Sequence, residues 1–77
     1  METTAIEALI RAGIEGSDVT VTGDGRHFEV LVISDAFEGK SLIQRHRLVL
    51  DTVRAQIDSE ELHALSIKAR TNAENVT

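Results

Sequence analysis

The residues of this chain with the widest chemical reach are its three histidines, His27, His46 and His63, and the cationic run Arg45-His46-Arg47 around one of them. Neutral imidazole ligates metals and titrates near physiological pH. The chain has no cysteine, so thiolate nucleophiles, disulfides and thiolate-built zinc sites are closed to it. Ser17, Ser34, Ser41, Ser59 and Ser66 stand in no nucleophile-elbow context. Glu60-Glu61, and Asp24 with Glu29, are most simply solvated charges. Catalysis therefore finds no support.

Each histidine also has a plainer reading. His63 shares the strand parity of Leu65 and Ile67, which suits a hydrogen-bonded residue at the edge of the core. His27 sits at a turn tip, where solvated side chains are the norm. His46 lies on an apolar helical stripe and reads as a partly buried, structural histidine. Arg45 and Arg47 then flank it toward solvent. With Lys68 and Lys40 they form a basic patch suited to an acidic partner, since arginine binds carboxylates bidentately.

The elements that must position these groups follow from periodicity. Thr4-Ala5-Ile6-Glu7 has capping-box spacing and opens a first helix. Ile6, Leu9, Ile10 and Ile14 share its face, and Gly13 and Gly16 end it. Asp18 to Thr22 alternates as a half-buried strand with Val19 and Val21 inward. Gly23-Asp24-Gly25 turns the chain into a second strand, Phe28 to Ile33, with Arg26 and His27 at the tip of the hairpin. Ser34 to Gly39 is a loop. Ser41-Leu42-Ile43-Gln44 is a second capping box, opening the main helix. Its expected buried stripe is Ile43, His46, Leu50, Val53 and Ile57, widened by Leu42 and Val49. Asp58 to Glu61 starts one extra helical turn. His63 to Lys68 is the last strand, with Leu65 and Ile67 inward. From Thr71 the tail is polar and expected to fray. The order is α-β-β-α-α-β, an α+β layer with the helices on one face of a three-stranded sheet.

Size and charge narrow the function. Seventy-seven residues make one domain, with an ordered core expected over about 4–70 and a polar tail over 71–77. No apolar run approaches the roughly 20 residues of a membrane span, and Met1-Glu2-Thr3-Thr4 has no signal-peptide character. A soluble cytoplasmic protein is the expectation. The formal net charge is −5, which opposes counterion-driven nucleic-acid binding. Phe28 and Phe37 are the only aromatic residues, too few for a base-stacking platform. Gly13-Ile14-Glu15-Gly16 has the G-x-x-G form that clamps nucleic-acid backbones in KH domains. It follows the first helix instead of joining two core helices, and Glu15 would repel phosphate. Gly23-Asp24-Gly25 is too short and acidic for a phosphate loop.

The run Phe28-Glu29-Val30-Leu31-Val32-Ile33-Ser34, then Phe37-Glu38-Gly39-Lys40, Arg45-His46-Arg47 and Leu62-His63-Ala64-Leu65-Ser66, resembles the BolA-like family from about Val19 to Arg70. The short turn from Gly23 to Phe28 is most similar to its IbaG-like, acid-stress branch. The resemblance implies a class II KH-like fold with a mixed sheet, in which Phe37, Gly39 and His46 are structural. It implies partnership with a monothiol glutaredoxin and glutathione, the two proteins sharing a [2Fe–2S] cluster. His63, opening the last strand, and His27, in the first hairpin loop, match the family's ligand positions. The free chain is then a monomer or weak homodimer. One departure is visible: many members end in a short helix with Pro and Trp, and Thr71 to Thr77 contains neither.

The resemblance implies a non-enzymatic adaptor of iron–sulfur trafficking or of iron and stress regulation. The rival is a DNA-binding transcriptional regulator that uses the second and third helices as a helix-turn-helix, with Arg45 and Arg47 on phosphate.

Overall fold

A computed structural model describes residues 1–76, the side chain of Ala64 excepted. Its order is α1 (Thr3–Gly13), β1 (Asp18–Gly23), β2 (His27–Ile33), a single 3-10 turn (Asp35–Phe37), α2 (Leu42–Thr52), α3 (Arg54–Asp58), β3 (Ala64–Arg70) and α4 (Asn72–Asn75). The strands form one mixed sheet in the order β1-β2-β3. β1 pairs antiparallel with β2, Val21 opposite Val30. β3 pairs parallel with β2, Val30 opposite Ile67 and His27 opposite Ala64. The α+β class and the mixed sheet agree with expectation.

Val19, Val21, Phe28, Val30 and Val32 alternate inward from the sheet, as their sequence parity requires. They meet Ile6, Ile10 and Ile14 from α1, Val49 and Val53 from the second helical segment, and Phe37 and Leu62 from the connections. The opposite face of the sheet carries Thr20, Thr22, Glu29, Ser66 and Lys68 and faces solvent. Among the described residues no helix is long and apolar enough to cross a membrane.

Four local expectations need correction. α1 starts at Thr3 from Glu2, with no side-chain cap. The Thr4–Glu7 box does not form, and Glu7 instead lies 3.6 Å from Arg11 one turn on. The main helix ends at Thr52, so the extra turn falls at Arg54–Asp58 rather than at Asp58–Glu61.

The third correction is the buried face of α2. The Ser41 capping box forms as expected, its hydroxyl accepting from Gln44 N and Gln44 Oε1 from Ser41 N. The buried positions, however, are Arg45 and Val49, followed by Val53, while Leu42 and Ile43 are about two-thirds exposed. Adjacent helix positions differ by about 100°, so taking an arginine as the core residue turns the whole stripe. Arg45 is 8% exposed and does not flank a solvated patch. Its Nε donates to Lys40 O and its Nη1 to Ala69 O. Nη1 and Nη2 grip the two carboxylate oxygens of Glu74 at 2.7 and 3.2 Å. The guanidinium carbon lies 6.0 Å from the Phe37 ring centroid, within cation–π range.

The fourth correction is the tail. Thr71 and Glu74 form a reciprocal capping box that opens α4, and Glu74 locks it to Arg45. Phe37, expected to be structural, is fully buried. Gly39 has φ +74°, a conformation that disfavours any Cβ and turns the chain from the 3-10 segment toward α2.

Arg45→Ala leaves the Lys40 and Ala69 carbonyls without their donor, a loss of about 1–3 kcal/mol for each acceptor that stays buried. Urea unfolding should show that loss, with Lys40→Ala near neutral. The Arg45 pair holds the Glu74 carboxyl down to about 2 from 4.5. A carboxyl depressed in the folded state stabilises fully above its unfolded value and loses that contribution as pH falls through its folded value. Glu74→Gln should therefore flatten the wild type's loss of stability between about pH 4.5 and 2.

Candidate functional site

The β2–β3 register decides which histidines can act together. His27 is the first residue of β2 and pairs with Ala64, the first residue of β3. His63 immediately precedes Ala64, so both imidazoles come to the same end of the parallel pair. Both are exposed and line one open cavity of about 710 Å³ with Met1, Gly25, Arg26 and Glu61. The expectation that His63 sits at the core edge is corrected: β3 begins one residue later, so strand parity does not reach it. Leu62, just before it, is fully buried and anchors the approach. Glu60, with φ 65°, reverses the chain between α3 and this point.

The His27 side is fixed by the β1–β2 turn. Asp24 Oδ1 accepts from Arg26 N at 3.0 Å and from His27 N at 2.9 Å. The two backbone donors, His27 first, hold the Asp24 carboxyl below its ordinary value. Gly23 is required by close approach: a Cβ there would lie 2.5 Å from His27 O. His27 Nε2 faces Ser66 Oγ at 3.3 Å on the solvent side of the sheet. With Nε2 so engaged, Nδ1 has no hydrogen-bond partner among the described residues. An outer hydrogen bond of this kind orients a ligating imidazole.

The donor set fits a shared metal group and not a self-contained one. Two exposed imidazoles face one cavity, and among the described residues no group of three or more His, Cys, Asp or Glu is arranged to hold a metal ion. A partner would have to supply the remaining ligands.

The basic residues do not gather there. Lys68 lines a groove between β3 and α2 at the other end of the sheet, with His46 and Arg70. Arg70, two residues beyond the expected end of the last strand, joins this cationic set. Arg47 is exposed on α2 and Lys40 precedes the helix, but Arg45 is internal. His46 is half-buried at the groove, in keeping with a structural role.

A sequence profile described as BolA-like protein matches residues 11–74. This chain belongs to the BolA-like family. Acid stress protein IbaG of Escherichia coli K12 is 34% identical over 74 residues, covering 96% of this chain and 88% of IbaG. That agrees with the IbaG-like branch. SufE-like protein 1 of Arabidopsis thaliana is 54% identical over 48 residues, which are 62% of this chain but 13% of that protein. The solved structure of a BolA homologue from Coxiella burnetii superposes with a TM-score of 0.90 at 37% identity, covering 100% of this chain and 99% of that one. BolA-like folds recur from a short bacterial protein to a domain within a much longer plant protein.

Asp24→Ala removes both turn hydrogen bonds while leaving the core untouched. Amide exchange at Arg26 and His27 should accelerate toward the rate of unfolded backbone, and that at Val30 should not change. Asp24→Asn keeps an acceptor and should retain part of the protection.

Proposed function

We propose that this BolA-like chain is a non-enzymatic adaptor that docks on a monothiol glutaredoxin and offers His63 and His27 to a bridging [2Fe–2S] cluster. The observation that carries the reading is the convergence of two exposed imidazoles on one open cavity, in a chain with no thiol of its own. The glutaredoxin would supply its cysteine thiolate and bound glutathione. Such a cluster would bring electron-transfer and sulfide-exchange chemistry to the interface.

The chain's own residues perform orientation and exclusion. Asp24 fixes the backbone that carries His27. Ser66 Oγ shares a hydrogen bond with His27 Nε2, and in the tautomer that carries its proton on Nε2 the lone pair of Nδ1 is left for a metal. Buried Leu62 fixes the approach to His63. Imidazole ligates only when neutral, so acid opposes assembly. The relation to the acid stress protein IbaG supports a role in stress.

The DNA-binding alternative gains nothing from the helices. α3 has five residues, and only the buried turn residue Val53 separates it from α2, where a helix-turn-helix has a turn of three or four. A recognition helix presents several residues to the major groove, and here Arg54, the one cation of α3, pairs with Asp51 at 2.9 Å.

Anaerobic reconstitution with a monothiol glutaredoxin, glutathione, iron and sulfide tests the reading by visible circular dichroism. The wild type should give a heterodimer spectrum distinct from that of the glutaredoxin homodimer. His63→Ala and His27→Ala should each alter it, and Ser66→Ala should weaken assembly less than either. A wild-type mixture that shows only the homodimer spectrum rejects the adaptor role.

A further inference from the structure

β3 is an edge strand, and its free edge opens onto a groove beside α2. Arg70 O accepts from Ser34 N, on the β2 side. Backbone groups alternate along a strand, so Ala69 O points to the outer edge, where Arg45 Nη1 meets it at 3.1 Å. Ile67 and Leu65 share the direction of Ala69, so their N–H and C=O groups form the remaining outer edge. Unpaired edges of this kind are templates for another extended chain.

The groove, about 520 Å³, has apolar walls in Leu42, which is 69% exposed, and Ile67. Its free charges are positive. Lys68 and Arg70 make no ion pair among the described residues. A carboxylate already occupies one end, where Glu74 of α4 reaches back to Arg45. In a chain of net charge −5, this groove is a cationic and apolar slot that demonstrably accepts a carboxylate.

From this juxtaposition we infer that the β3 edge and α2 form a docking groove for an extended acidic peptide, which adds to the sheet as a fourth strand. Its backbone pairs with Leu65 and Ile67, an apolar side chain packs between Leu42 and Ile67, and its carboxylates meet Lys68 and Arg70. Strand addition draws affinity from main-chain hydrogen bonds and selectivity from alternate side chains. A nucleic acid would use the charge but not the edge donors, and the groove has no Phe, Tyr or Trp for base stacking. The groove's β3 residues, Ile67 to Arg70, lie roughly 13–23 Å along the strand from His63 at a rise of roughly 3.3 Å per residue. It functions without metal and independently of the cluster reading.

The test uses the full-length, metal-free, 15N-labelled protein and a capped peptide of alternating glutamate and valine, monitored by amide chemical shifts. Saturable shifts should centre on residues 65–70 and 42–46 and spare His27 and His63. Lys68→Glu with Arg70→Glu, both surface changes whose fold is checked by circular dichroism, should weaken binding at least about tenfold. The same peptide methylated at its backbone nitrogens should not bind. No shifts at millimolar peptide, equal binding by the methylated peptide, or tighter binding of oligothymidylate in the same groove would each overturn the inference.

Discussion

Everything at the candidate site depends on the parallel pairing of β3 with β2. Antiparallel pairing would bring Arg70 to the end of the sheet where His27 lies and send His63 to the other. Parallel pairing forces the chain to cross back over the sheet between the two strands, and the 3-10 turn, α2 and α3 make that crossing. The crossing is anchored along its length by Phe37 in the 3-10 turn, Val49 in α2, Val53 between α2 and α3 and Leu62 after α3, all essentially inaccessible. The position of His63 is thus a consequence of core packing some distance from it, and the residue itself contributes little to the fold.

Arg45 governs the opposite end of the same strand. Its aliphatic stem fills a core position while its guanidinium collects a loop carbonyl, a strand carbonyl and a carboxylate. A buried arginine is costly unless its donors are met, and these partners come from three separate segments. The residue therefore ties the start of α2, the end of β3 and α4 together, and it closes the last outward carbonyl of an otherwise open edge. The stabilising and the potentially interactive ends of β3 are in this way set by different chemistry: backbone register at one, a satisfied ion pair at the other.

Much of this was legible locally. Alternation of Val19 and Val21, and of Phe28, Val30 and Val32, identified the hairpin and its inward face. Ser41 and Gln44 announced α2, and the apolar spacing from Ile6 to Ile14 identified α1. The misreadings share one origin, the weighing of polar residues. Placing Arg45 outside the core turns the expected α2 stripe by one position, although the four-residue steps 45, 49 and 53 carry the signal. Thr71 and Glu74 have the same capping-box spacing as Ser41 and Gln44, but the polarity of the tail argues for a frayed end and hides α4. Conversely, Thr4 and Glu7 have that spacing without forming the box, since the N-cap is Glu2, two residues before Thr4. The pairing of His27 with His63 was accessible only through family resemblance. A parallel register between distant strands leaves no periodic trace in either one.

The central proposal is that imidazole nitrogens of this chain ligate a cluster shared with a glutaredoxin. Pulsed electron paramagnetic resonance of the reduced complex tests it directly, with this chain carrying 15N-labelled histidine and the glutaredoxin unlabelled. The account predicts strong 15N hyperfine coupling to the reduced cluster, diminished in His63→Ala and unaffected in His46→Ala. A complex that holds the cluster yet shows no strong 15N coupling from this chain would contradict it.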